Sequence, residues 1–177
     1  ALGLSLSGEH GIEAPTEPEV PALIQVAERG DLGTLEALLA RDQIPDVRDS
    51  CDWTPLMKAA QNGHLEAVER LVDAGASLDA EDKGGYTAVM LAAGNDHAAV
   101  VRRLLAAGAM ADHQECTQGW TALIWAAKEG HSDTVAALIE GGADTTLKDY
   151  SGRTAADWAA ETRRSTSLSG LLPKHGD

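Results

Sequence analysis

Three groups of side chains in this chain have types and spacings that could do chemistry: a histidine series, two cysteines and a set of aromatic rings. His64, His97 and His131 recur at a near-constant interval. Histidine is the commonest metal ligand, and zinc would hold each ring nitrogen at about 2 Å. A residue that returns once per structural unit, however, is displaced by one unit each time, roughly 10 Å for packed helices. Three such rings make a row, not a coordination sphere. The series predicts a repeated hydrogen bond from imidazole to backbone between neighbouring units. Cys51 and Cys116 fall at similar places two units apart, about 20 Å by the same reckoning, whereas a disulfide needs Cα atoms within about 7 Å. They read as free thiols, which points to a reducing compartment, cytoplasm or nucleus. A nucleophilic cysteine would need a positioned base, and a stack of thin units offers no closed pocket to hold one. The chain also has no Gly-rich phosphate loop, no His-Glu-x-x-His and no Gly-x-Ser-x-Gly. We therefore expect no enzyme, no catalytic residue, no metal and no cofactor.

The aromatic rings carry the remaining signal. Trp53, Tyr86 and Trp120 each stand directly before a threonine, and Trp125 and Trp158 each stand on the fourth position after one. If the first set lies at the base of a turn and the second on the helix that follows, all five face one surface. Aromatic side chains are the usual anchors of an interface. We take Trp53, Tyr86, Trp120, Trp125 and Trp158 as candidate partner-binding residues, with the acids Asp49, Asp52 and Glu129 around them. The plainer alternative is that the rings brace turn against helix.

The elements that must position them follow from the threonines. Thr54, Thr87, Thr121 and Thr154 keep the histidines' interval, with a single extra position between Thr87 and Thr121. Each opens a short phrase that ends in an alanine pair: Ala59-Ala60, Ala92-Ala93, Ala126-Ala127, Ala159-Ala160. Threonine is a good helix N-cap, and Pro55 suits the first helical position, where its missing N–H costs nothing. The alanines thin one helix face so that a neighbour can pack closely. Gly63 and Gly130 then end the first helix in a left-handed turn; Asp96 holds that place in the copy between, and Asp tolerates the conformation better than most residues. A second amphipathic helix follows, with Leu65, Val68, Leu71 and Val72 in one copy and Val100, Val101, Leu104 and Leu105 in the next. Gly75, Gly108 and Gly142 stop it, and a polar stretch leads to the next threonine as a hairpin arm. The extra residue between Thr87 and Thr121 belongs in the arm around Cys116–Gly119, because a helix would lose register. Pro21 to Leu32 aligns with Thr54 to Leu65 one interval upstream, without the Thr cap. A period of about 33 residues predicts stacked identical units and binding along a surface.

These phrases resemble the ankyrin repeat. The resemblance rests on Asp149-Tyr150-Ser151-Gly152-Arg153-Thr154, Thr54-Pro55-Leu56, Asn62-Gly63-His64-Leu65-Glu66-Ala67-Val68 and Ala74-Gly75-Ala76-Ser77-Leu78-Asp79, and it covers about residues 20–172. It implies an all-α ankyrin-repeat solenoid: five stacked helix-turn-helix units with β-hairpin arms, terminal units acting as caps, and a protein or peptide partner on the concave face. The units are about 20–48, 49–81, 82–114, 115–148 and 149–172, within a domain of 20–177. The family usually has His at the third position after the Thr. Met57, Met90, Ile124 and Asp157 stand there, so the hydrogen bond that His would make is expected to be absent, with an apolar contact in three copies. Gly119-Trp120-Thr121-Ala122-Leu123-Ile124-Trp125-Ala126, with Trp158 one interval beyond Trp125, also resembles the methyl-lysine cage in the ankyrin repeats of the euchromatic histone lysine methyltransferases. That implies a second function, reading of histone tails. Lys128 departs from the cage, standing where that family has an acid; Glu129 and Glu161 could offset it.

Composition sets the remaining bounds. The net charge is -14, with 44% hydrophobic residues, 3% aromatic and no Phe, so alanine and leucine carry the packing. The acid argues against nucleic acid and permits a basic partner. Residues 1–19 hold Glu9, Glu13, Glu17 and Glu19 with no Lys or Arg, and read as an acidic extended tail or linker. No apolar run approaches the length of a membrane span, about 18 residues or more. A monomer is expected.

Overall fold

A computed structural model describes residues 20–41, 44–161, 168 and 170–172. Its helices are α1 (Ala22–Arg29), α2 (Leu32–Leu39), α3 (Pro55–Gln61), α4 (Leu65–Asp73), α5 (Ala88–Gly94), α6 (Ala98–Ala106), α7 (Ala122–Glu129), α8 (Ser132–Glu140) and α9 (Ala155–Glu161). Each odd-numbered helix up to α7 packs against the even one that follows it. The odd helices stack on one another in order, α1 on α3, α3 on α5, α5 on α7 and α7 on α9. No strand is assigned among the described residues. The fold is the expected all-α solenoid. The expected tail over 1–19 lies outside the described residues, and so do most of the residues of the fifth unit after Glu161.

The thin faces explain the stacking. Ala59, Ala60, Ala92, Ala93, Ala126 and Ala127 are wholly buried, and Met57, Met90, Leu123 and Ile124 fill the gaps beside them. In the last copy Ala159 is buried while Ala160 is exposed. On the even helices Val68, Leu71, Val100, Val101, Leu104, Val135 and Leu138 turn inward. Their outer faces carry ion pairs that link neighbours, Arg70 to Glu36 at 2.6 Å and Arg103 to Asp73 at 3.3 Å. Exposed pairs of this kind are worth at most about 1 kcal/mol each, so the apolar stack carries the stability.

The caps vary by copy. Thr54 and Thr121 accept the N–H of Met57 and Ile124 on their hydroxyls, as an N-cap should. Thr87 has the same extended backbone but makes no side-chain cap bond, and its hydroxyl is buried without a partner. The expected loss of the side-chain bond at the third position after Thr needs two corrections. In the second unit the Met57 sulfur accepts the Thr54 N–H at 3.4 Å. In the fifth, Asp157 accepts both the N–H and the hydroxyl of Thr154 at 2.8 Å and returns its own N–H to that hydroxyl. Here a carboxylate makes the reciprocal box usually made by Glu or Gln. The first helices end as expected. Gly30, Gly63 and Gly130 have φ of 68°, 73° and 79°, and Asp96 takes the same turn at 61°.

The histidines bridge units. His64, His97 and His131 each bring Nε2 to a backbone carbonyl of the preceding unit, on Glu28, Gln61 and Gly94, at 3.0, 3.0 and 3.2 Å. The His97 ring lies across Gly63 so closely that a Cβ there would stand 2.5 Å from Nδ1. Gly63 is thus required twice, for its backbone conformation and for the ring above it.

Candidate interaction surface

The arms are built on carboxylates. In three of them an Asp accepts two backbone N–H groups of its own turn. Asp49 accepts from Cys51 and Trp53, Asp82 from Gly84 and Tyr86, and Asp149 from Ser151 and Arg153. The turns close with Asp49 N–H to Trp53 C=O, Asp82 to Tyr86 and Asp149 to Arg153. The arm that opens the fourth unit is one residue longer and closes from Glu115 to Trp120, so the insertion lies inside the arm, as expected. The acid grows with the loop. Glu115, wholly buried, spreads its two oxygens over the N–H groups of Thr117, Gln118 and Trp120. Burial opposes ionisation of Glu115, but the bonds from Thr117, Trp120 and Gln118 outweigh it, and the carboxyl sits below the ordinary glutamate value. Asp149 is likewise lowered, with burial opposed by bonds from Arg153, Ser151 and Trp158. Adjacent arms are tied by Lys83 N–H to Cys51 C=O, Cys116 N–H to Gly84 C=O and Tyr150 N–H to Gln118 C=O.

This scaffold fixes the rings. Tyr86 and Trp125 have centroids 5.4 Å apart, Trp125 and Trp120 6.5 Å, and Trp120 and Trp158 5.6 Å. Trp53 packs beside Tyr86 on a small buried cluster of Met57, Ala80 and Leu91. Four rings therefore touch in one half-buried row along the arm bases and first helices, and Trp53 stands at the Tyr86 end of it across the shared cluster. Gly94 seats the middle of it, since a Cβ there would meet the Trp125 ring at 2.6 Å. Trp158 also donates its Nε1–H to Asp149 at 2.8 Å, so this indole does brace helix to arm.

Among the described residues Lys58, Lys128 and Arg153 lie on the rings. Lys58 Nζ is 4.6 Å from the Trp53 centroid and is paired with Glu28 at 3.0 Å. Lys128 Nζ is 5.1 Å from Trp120 and 5.8 Å from Trp158, and 3.3 Å from Glu129. The Arg153 guanidinium is 4.7 Å from Trp158 and is paired with Glu161. Of the acids expected to meet a partner, Asp49 is committed to its own turn, Asp52 takes a left-handed φ of 65°, and Glu129 holds Lys128. The charge sequence of the surface alone did not reveal these cation contacts. The one signal was position, because Lys58 occupies the same place after its Thr as Trp125 and Trp158 do.

Cys51 and Cys116 are exposed free thiols. His113, close before Cys116 in the chain, gives its Nε2 to the Gly85 carbonyl at 2.9 Å. Among the described residues no group of three or more His, Cys, Asp or Glu could hold a metal ion, and no helix is long and apolar enough to cross a membrane.

A family model described as ankyrin repeats, three copies, matches the chain over residues 23–115 and 104–177. No curated protein matches the chain.

Proposed function

The chain belongs to the ankyrin-repeat family, whose members are generally protein-interaction modules, and on that premise we propose that it grips a protein or peptide along the face formed by its arms and first helices. One observation carries the reading: Tyr86, Trp125, Trp120 and Trp158 lie ring against ring in a half-buried row on that face, with Trp53 beside Tyr86 on a shared apolar cluster. Rigid rings of this kind present large apolar area at little entropic cost and dominate interface energies. The net charge of -14 supports a partner with basic residues, which would act mainly on association rate and salt dependence. The role is one of binding rather than catalysis. The exposed free thiols support a reducing compartment, cytoplasm or nucleus. A monomer suits a surface meant for another chain. The alternative, reading of methylated histone tails, meets an obstacle, since Lys128 already stands against two of the three indoles concerned.

The test is capture from lysate by the wild type and by Trp125→Ala, quantified by mass spectrometry. Truncating a central anchor costs about 2 kcal/mol, roughly thirtyfold in affinity. Proteins that the wild type retains should be lost from Trp125→Ala while the variant still melts cooperatively. Equal retention by both would refute this face as the binding surface.

A further inference from the structure

On the reading of the inner face as the interaction surface, we propose that the partner segment bound there is rich in proline and lies on the rings as a polyproline II helix. Tyr86 and Trp125 are 5.4 Å apart and tilted by 55°, and Trp125 and Trp120 are 6.5 Å apart at the same angle. Rings set this way open wedges between them instead of stacking flat. A pyrrolidine ring is compact and rigid enough to enter such a wedge, and aromatic-lined grooves are the usual seat of polyproline segments. The chain's own packing holds the middle of the row in place, because the Trp125 ring lies on Gly94 and the Tyr86 ring on Gly84.

The polar atoms of the row select among peptides. Trp158 Nε1–H is spent on Asp149, and Trp120 Nε1 is buried. The indole N–H groups of Trp53 and Trp125 and the Tyr86 hydroxyl are neither buried nor bonded among the described residues. Lys58 on Trp53 and Lys128 on Trp120 add cationic donors. The row thus presents donors, and the acceptors beside it are engaged. Asp49, Asp82 and Glu115 take the N–H groups of their own arms, and Glu28 holds Lys58. Electrostatic complementarity therefore calls for a ligand rich in carbonyl oxygens and poor in N–H. An ordinary extended peptide would press amide donors against the rings without partners, which is costly. Proline has no N–H, and polyproline II leaves its carbonyls free of internal bonds. Addition of a β-strand is disfavoured too, since the arms pair with one another through Lys83 N–H to Cys51 C=O and Cys116 N–H to Gly84 C=O.

The experiment titrates decaproline, and a counterpart with every second proline replaced by alanine, into the isotope-labelled chain and follows the indole N–H resonances by NMR. The Trp53 and Trp125 signals should move downfield as carbonyls reach them, while that of Trp158, already bonded to Asp149, keeps its place. Tyr86→Phe keeps the ring and its packing but loses the hydroxyl, and should weaken decaproline about fivefold. Trp125→Ala should weaken it about tenfold or more. The alanine counterpart regains amide donors and should bind about fivefold more weakly than decaproline. Indole signals unmoved by millimolar decaproline, or equal affinity for the two peptides, overturns the proposal. Absence of decaproline binding, with captured proteins still lost from Trp125→Ala, removes the proline-rich occupant and leaves the surface. Capture indifferent to Trp125→Ala removes the surface itself.

Discussion

At the scale of the residue, the fold depends on small groups in places that allow nothing larger. Gly63 carries φ of 73° and lies under the His97 ring. Gly63→Ala adds a left-handed penalty of about 1–2 kcal/mol and an overpacking cost of about 1–3 kcal/mol, so a loss of roughly 2–5 kcal/mol is expected in chemical denaturation. A loss of only about 1–2 kcal/mol, the backbone penalty alone, would show that the imidazole moves aside freely. The histidine bridge was legible in the sequence because a ring that returns once per unit can meet only its neighbours. The Asp157 and Met57 bonds to Thr154 and Thr54 were not, since the absence of His from those positions says nothing about what replaces it. Lys128 was visible as a charge near the rings, but whether a long flexible stem turns onto a ring or away from it is a three-dimensional fact.

At the scale of the element, the alanine pairs and the arms do different work. Ala92 is wholly buried on α5, which stacks on both α3 and α7. Ala92→Leu should cost about 1–3 kcal/mol, and hydrogen exchange should speed up in the units on both sides. A response confined to one unit would mean that the pair is not the close-packing face. The long arm makes a prediction in acid. Because the Glu115 carboxyl is lowered in the folded state, its stabilisation is complete above the ordinary glutamate value, about 4.3, and is lost as pH falls through the lower folded value. Amides of Thr117, Gln118 and Trp120 should therefore lose protection below about pH 4. Glu115→Gln sets an amide NH2 against the Thr117 N–H, or in its other orientation against those of Gln118 and Trp120, and should destabilise by about 1–3 kcal/mol while flattening that acid response. An unchanged acid profile would place the titrating group elsewhere. The insertion itself was legible from register alone. The lengthening of the acid from Asp to Glu to span it is written at matching positions, but its role appears only once the N–H groups it accepts are in place.

At the scale of the molecule, the repeat period led to the all-α stack, and the family match agrees. The seat that Gly94 gives Trp125 stayed hidden, because a glycine inside a helix carries no pattern of its own. A solenoid offers two long surfaces, and here they differ. The outer one, on α4, α6 and α8, is laced with ion pairs such as Arg102 to Glu140, whereas the inner one holds the aromatic row. The proposed function requires the partner to use the inner one. The most direct measurement is hydroxyl-radical footprinting of the chain alone and with a captured partner, read residue by residue. Oxidation of Trp53, Trp120, Trp125 and Trp158 should fall several-fold on binding while the outer faces of α4, α6 and α8 stay as reactive as before. Protection of those outer helices with the four tryptophans unchanged would contradict the account.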